Sequence, residues 1–181
     1  MATQALAVPA KDNVGLALKG ALAVLAVALI FVVSGTLTEK VVDQGDTAPN
    51  FKVTTDQGKQ ITRGDFGGKL LVLNFWGTWC APCVEEVPSL SDFAKRYANR
   101  GVVVLGISVD RNEKLYRDFV KRNKVAFQTA RDPEAEISGS YGTFKYPETY
   151  IIDQKGKVIQ KIIGPQNWAD PAYLNYFQSL L

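Results

Sequence analysis

Apolar residues recur along this chain in three different rhythms. Ala21 to Val33 is apolar without a break and lies inside a stretch, Gly20 to Thr38, that carries no charge, about the length that crosses a bilayer. Leu70 to Phe75, interrupted by Asn74, and Val102 to Val109, with Ser108 near its end, are shorter and almost unbroken runs, the pattern of strands buried on both faces of a sheet. Between those two runs the spacing changes. Cys83, Val84, Val87, Leu90, Ala94, Tyr97 and Ala98 recur at three and four residues, which makes one face of a helix packed on the sheet; Gly101 closes it. Upstream, Phe51 to Thr54 and Lys59 to Ile61 flank Asp56-Gln57-Gly58 and predict a hairpin, joined to the first buried strand by the glycine-rich Gly64 to Lys69. Downstream, Asn112 to Asn123 predicts an amphipathic helix with Leu115, Phe119 and Val120 inward. Its outer residues Lys114, Arg117, Lys121 and Arg122, with Lys124 just beyond, form a solvated basic face. Asp132-Pro133-Glu134 starts a short helix that Gly142 ends. Thr149 to Ile152 and Val158 to Ile163 are strands about the turn Asp153-Gln154-Lys155-Gly156. Asp170-Pro171 starts a last helix that turns Tyr173, Tyr176, Phe177 and Leu180 onto the sheet.

This order of elements predicts one α/β domain at 47–181, a polar linker at 39–46, a transmembrane signal anchor at 20–38 and a short tail at 1–19. Lys11 and Lys19 precede the span, with Asp12, while Glu39, Asp43 and Asp46 follow it with Lys40 between. Positive charge on the amino side places the tail in the cytoplasm and the domain outside it. A cleaved signal peptide would have a shorter apolar core and an A-x-A-like site; Val33-Ser34-Gly35 is a poor one, so an uncleaved anchor is expected. With 21 Lys and Arg against 18 Asp and Glu, the chain has no basic surplus that calls for a nucleic-acid partner.

The chemistry concentrates where the strand rhythm gives way to the helix rhythm. Both cysteines, Cys80 and Cys83, stand there with Ala81-Pro82 between them. A helix N-terminus offers unpaired N–H groups and the positive end of the dipole, which favour a thiolate at Cys80. Residues three apart in a first turn share a side, so the two sulfurs can close and reopen a small ring. Pro82 fits that turn, where its missing N–H costs nothing. Two Cys and no His fall short of a zinc set. A structural bridge across so few residues would stabilise little, which leaves redox exchange. Glu86 lies three residues after Cys83 and shares its side of the helix. Held near the apolar stripe, its carboxylate would be partly desolvated, raised in pKa and placed to take a proton from Cys83; the alternative is an ordinary carboxylate favoured by the dipole. Glu85 is the solvated neighbour.

The segment NFWGTWCAPCVEEVP resembles the active-site segment of the thioredoxin fold, in particular its extracytoplasmic, membrane-tethered branch that includes the TlpA, ResA and CcmG (DsbE) proteins. The resemblance covers roughly residues 43 to 181 and implies a central mixed β-sheet flanked by α-helices, with the hairpin as an N-terminal extension. It implies that Cys80 attacks and Cys83 resolves, that Trp79 is the family's tryptophan before the nucleophile, and that Pro88 kinks the active-site helix. Asn74 stands where thioredoxin proper has a buried aspartate and cannot titrate; in the ResA-like branch the acid–base group is instead a glutamate at the position of Glu86. The resemblance also makes Tyr146-Pro147 a cis pair facing the dithiol, with the Tyr146 backbone offering a strand-addition contact to an extended client. Trp76, Trp79 and the Pro147 loop would border the contact surface. No cofactor is implied, since the two sulfurs carry the electrons. The partners implied are disulfide-containing client proteins, such as apocytochrome c or a copper-site protein, and a membrane electron donor of the DsbD or CcdA type.

Two other readings compete. A peroxiredoxin-like peroxide reductase shares the "D-x-A-P-x-F" opening, but it would want Pro and Thr at set distances ahead of its cysteine. Trp76-Gly77-Thr78-Trp79 does not match that, and Cys83 is too near to be its usual resolver. A non-enzymatic module, redox-regulated or handling copper through two thiolates, would also need the pair.

Overall fold

A computed structural model describes residues 13–36 and 41–181. The expected tail up to residue 12, and residues 37–40, which end the expected span and begin the linker, lie outside the described residues. The chain divides into two compact units, Met1–Glu39 and Lys40–Leu181.

In the first unit a single helix, α1 (Asn13–Thr36), carries an apolar window, Gly15–Val33, of mean hydropathy 2.7, long enough to cross a membrane. It starts earlier than the uncharged stretch suggested, because Leu16-Ala17-Leu18 continues the apolar run across the lone charge of Lys19.

The second unit is built on a mixed five-stranded sheet, preceded by the hairpin of β1 (Lys52–Thr54) and β2 (Gln60–Thr62). Then come β3 (Leu70–Trp76), α2 (Ala81–Tyr97), β4 (Val102–Ser108), α3 (Glu113–Arg122), β5 (Gln128–Arg131), α4 (Glu136–Ser140), β6 (Glu148–Ile152), β7 (Val158–Ile163) and α5 (Pro171–Ser179). The strand order is β5-β4-β3-β6-β7. β3, β4 and β5 run parallel, and β6 and β7 are antiparallel additions. This is the mixed sheet flanked by helices that the resemblance implies.

Every residue of β3 is buried, and its alternation splits the core in two. Leu70, Val72 and Trp76 enter one cluster with Cys83, Val87, Leu90 and Phe93 of α2 and Phe177 of α5. Leu71, Leu73 and Phe75 enter the other with Val53 and Ile61 of the hairpin and Tyr141 and Tyr150. Asn74 shares parity with Val72 and Trp76, which sends it to the α2 side.

Three expectations need correction. β5 went unpredicted because Gln128-Thr129-Ala130-Arg131 is a polar edge strand, pairing only with β4 along the sheet and meeting Thr55 through one bridge. Leu115 is 56 % exposed while Tyr116 is buried. The inward stripe of α3 therefore runs 116, 119, 120, and the Tyr116 hydroxyl reaches Asp56 at 2.7 Å. Residues Arg63–Phe66 in the glycine-rich connection form a 3-10 turn that buries Phe66.

Candidate functional site

β3 ends at Trp76 and the chain turns over Gly77–Trp79 into α2. That turn is tied down from the end of β4. Asp110, buried, accepts from the Thr78 backbone N–H at 2.9 Å and the Thr78 hydroxyl at 2.7 Å, and also from the Ser108 hydroxyl at 2.6 Å. The strand therefore delivers the next residue, Cys80, to the cap of α2, where its sulfur accepts from the Cys83 backbone N–H at 3.3 Å. Pro82 occupies the first turn, where no N–H is wanted.

Cys80 and Cys83 form a disulfide, with Cα atoms 5.2 Å apart. Cys80 is 6 % exposed and Cys83 1 %, so Cys83 is the more deeply buried of the pair. Trp79 stands out at 64 % exposure, and its ring meets Tyr146 edge-on, centroids 5.7 Å apart. The Tyr146–Pro147 bond is cis. Pro147 is buried and Tyr146 half-buried, and the β3–β6 ladder begins only at Phe75 and Glu148, leaving Tyr146 beyond the ladder's end.

Trp76 is not at this surface. Strand parity turns it inward, where it packs on Tyr116 and Phe119 at 6.0 and 5.4 Å between centroids; it is a core residue. The structure thus gathers Cys80, Cys83 and Tyr146 around one buried cluster, with Trp79 against Tyr146 and Pro147 next to it in the chain, and it places Trp76 inside that cluster rather than on its surface.

Glu86 follows Cys83 by one turn of α2 and is 3 % exposed. Its Oε1 accepts from the Trp168 indole at 2.7 Å and the Asn74 amide at 3.2 Å, and its Oε2 accepts from the Gln166 backbone N–H at 3.3 Å. Burial pushes its pKa up to about 7, against the opposing effect of the Trp168 and Gln166 hydrogen bonds. A proton acceptor poised near neutrality matches the duty of taking a thiol proton. The carboxylate also lines a surface hollow with Glu85, Pro88, Ser89, Pro165, Gln166 and Asn167, which gives it a way to exchange protons with water. Among the described residues no group of three or more His, Cys, Asp or Glu is placed to hold a metal ion.

Asp110, Thr78, Thr149, Gln166 and Trp168 were not singled out from the sequence. Thr149 was recoverable in part, since it pairs with Asn74 across β3 and β6 and receives its amide at 2.9 Å. Trp168 carries no local signal; it meets Glu86 from 82 residues away.

The AhpC/TSA family profile matches residues 44–161. The chain is 41 % identical over 128 residues to "Thiol-disulfide oxidoreductase ResA" of Bacillus thuringiensis subsp. konkukian, covering 71 % of this chain and 74 % of that one. It is 32 % identical over 123 residues to the ResA of Bacillus subtilis strain 168, covering 68 % and 69 %. Among solved structures, a putative thiol:disulfide interchange protein DsbE from Chlorobium tepidum superposes with a TM-score of 0.71 at 26 % identity, covering 77 % of this chain and 98 % of that one. StoA from Bacillus subtilis superposes with a TM-score of 0.63 at 25 % identity, covering 72 % and 97 %.

Proposed function

The chain belongs to the AhpC/TSA family as a ResA-like thiol–disulfide oxidoreductase, and from that premise we propose that it reduces client disulfides by a two-sulfur cycle with Glu86 as proton acceptor. In the reduced protein, Cys80 is the thiolate, favoured by the dipole and free N–H groups at the start of α2. It attacks one sulfur of the client disulfide; the client's other sulfur leaves as a thiolate and takes a proton from water. Cys83, buried behind it, gives its proton to Glu86 and attacks the Cys80 sulfur. The Cys80–client bond breaks, the client's second sulfur leaves as a thiolate and takes a proton from water, and the Cys80–Cys83 disulfide remains. Two electrons have passed to the client, and Glu86 returns its proton to solvent.

The observation that carries this reading is the placement of a buried carboxylate, titrating near neutrality, one turn beyond the more buried of two bonded cysteines. Trp79, Tyr146 and Pro147 frame the client, with the Tyr146 backbone pairing to an extended segment. The apolar helix anchors the protein as an uncleaved span, with the domain on the extracytoplasmic, periplasmic side of a bacterial membrane. The clients are thiol pairs awaiting a cofactor, in apocytochrome c or a copper-site protein, and a membrane carrier of the DsbD or CcdA type restores the dithiol.

A Cys83→Ser variant tests the cycle: it should accumulate a mixed disulfide through Cys80, and the trapped adducts identify the client. Adducts through neither position would overturn the assignment of roles. A reporter fused after Leu181 should be active outside the cytoplasm; activity confined to the inside would reverse the topology.

A further inference from the structure

We propose that Trp168 is a positioning residue for the exchange reaction. Its indole N–H, donated to Oε1 of Glu86, holds that carboxylate in its charged form at working pH and directs the incoming proton to Oε2. The inference rests on the role given to Glu86 above.

Of the three donors to Glu86, the indole is the shortest, at 2.7 Å against 3.2 Å for the Asn74 amide and 3.3 Å for the Gln166 N–H. An indole N–H can only donate, so it cannot reverse to accept from a protonated carboxyl. Oε1 already receives two donors, and Oε2 receives one long bond. The open valence for a proton is therefore on Oε2, the oxygen bonded to Gln166, whose segment walls the hollow with Pro165 and Asn167.

Trp168 is held to this duty from several sides. It is fully buried, its ring centroid lies 5.4 Å from those of Phe93 and Tyr173, and its backbone N–H donates to the Ser89 hydroxyl at 3.3 Å. The same hydroxyl donates to the Gln166 carbonyl, which fastens the segment back onto α2.

The groups that other elements present to Glu86 include no second carboxylate. β3 and β6 present neutral Asn74 and Thr149, and the 165–168 segment presents neutral Gln166 and Trp168. Tyr173 of α5, whose hydroxyl donates to the Gln166 side chain at 2.8 Å, is raised above the ordinary tyrosine value by burial, then by Glu86 and Asp170. From α2 itself come Cys83, the proton's source, and Glu85, on the rim of the hollow.

The test follows the resolving step directly. The full chain, reduced and then mixed with dithiobis(nitrobenzoate), forms a Cys80–thionitrobenzoate disulfide, and Cys83 expels the second thionitrobenzoate at a rate read by absorbance between about pH 5 and pH 9. The native protein should show a midpoint near 7. Benzothienylalanine placed at position 168 keeps the ring's shape and lacks the N–H. It should move the midpoint up by on the order of one pH unit, slowing the reaction several-fold below neutrality. Fluorotryptophan at 168 keeps the N–H and should restore the native midpoint. Trp168→Phe should show the same upward shift. Glu86→Gln should lose the midpoint whichever residue stands at 168. An isostere that leaves the midpoint in place, while Glu86→Gln abolishes it, shows that Trp168 merely packs and overturns the inference alone. A Glu86→Gln protein that keeps the native midpoint overturns the role of Glu86 and the inference with it.

Discussion

Glu86→Gln should make the domain more stable relative to the native protein as pH rises, and the structure sets how much. Burial holds the folded carboxylate at about 7, against 4.5 for an ordinary glutamate. A raised folded pKa means that the native state binds the proton more tightly than the unfolded chain, so stability falls as pH climbs between those two values. Each unit of difference is worth about 1.36 kcal/mol, so ionising Glu86 in the fold costs roughly 3 kcal/mol once pH is well above 7. At pH 5 only about a quarter of that cost is present, because the unfolded carboxylate is only about half a unit above its pKa while the folded one is still almost wholly protonated. The glutamine variant pays nothing of this kind.

The amide brings a cost of its own. If its oxygen keeps the Trp168 and Asn74 donors, its NH2 faces the Gln166 N–H, and two donors meet at a loss of about 1–3 kcal/mol. That loss does not vary with pH, so it displaces the curve without tilting it. Urea unfolding of both disulfide-bonded proteins across this range isolates the tilt, because every other titrating group is common to the two. The difference in unfolding free energy should grow in favour of the variant by about 2.5 kcal/mol from pH 5 to pH 8.5. Parallel curves would refute the burial of a titrating carboxylate, whatever the activity of the variant. A near-neutral base thus carries a stability penalty, the trade expected where a fold keeps a group for its chemistry.

Lys161→Met should lower unfolding stability by about 3–5 kcal/mol, since it strands the fully buried Glu148, which Lys161 meets at 2.9 Å; adding Glu148→Gln should recover most of the loss in the same urea titration. Gly106→Ala should cost about 1–3 kcal/mol by overpacking, because a Cβ there would stand 2.7 Å from Phe127 and 2.9 Å from the Trp76 indole nitrogen; an unchanged denaturation midpoint would contradict the packing. Trp79→Ala should leave stability within about 0.5 kcal/mol yet lower kcat/KM for a protein disulfide on the order of tenfold, since the exposed ring contributes surface and an edge contact to Tyr146.

What the sequence made legible is what local rhythm encodes. The two almost unbroken apolar runs became β3 and β4, the period change placed Cys80 at the cap of α2, and the pair bonded as i, i+3 spacing allows. β5 escaped because an edge strand of Gln, Thr, Ala and Arg has neither an apolar run nor a useful alternation. Leu115 points outward although leucine is the more apolar of the two neighbours. Tyr116 won the position because its hydroxyl finds Asp56 while its ring packs on Trp76. Trp76 was drawn to the surface by its nearness to the cysteines, although its parity with Val72 already pointed it into the core. Asp110 and Trp168 act across 32 and 82 residues, and no window of sequence contains both ends of such a contact.

Asn74 shows how the sheet and the chemistry depend on one register. It pairs with Thr149 across β3 and β6 and bonds both Thr149 and Glu86 through one amide nitrogen. Slipping β3 by a single residue would turn Asn74 to the hairpin side and bring a leucine or phenylalanine against the carboxylate. The apolar pressure that fixes the register of a fully buried strand therefore also fixes a donor beneath Glu86. The choice of amide matters as much as its place. An aspartate at position 74 would set a second negative group about as close to Glu86 as the amide now lies, and two carboxylates at such range cannot both ionise near neutrality. With asparagine there, Glu86 titrates without a competing carboxylate at that position of the sheet, which is what the proposed transfer of a proton from Cys83 requires.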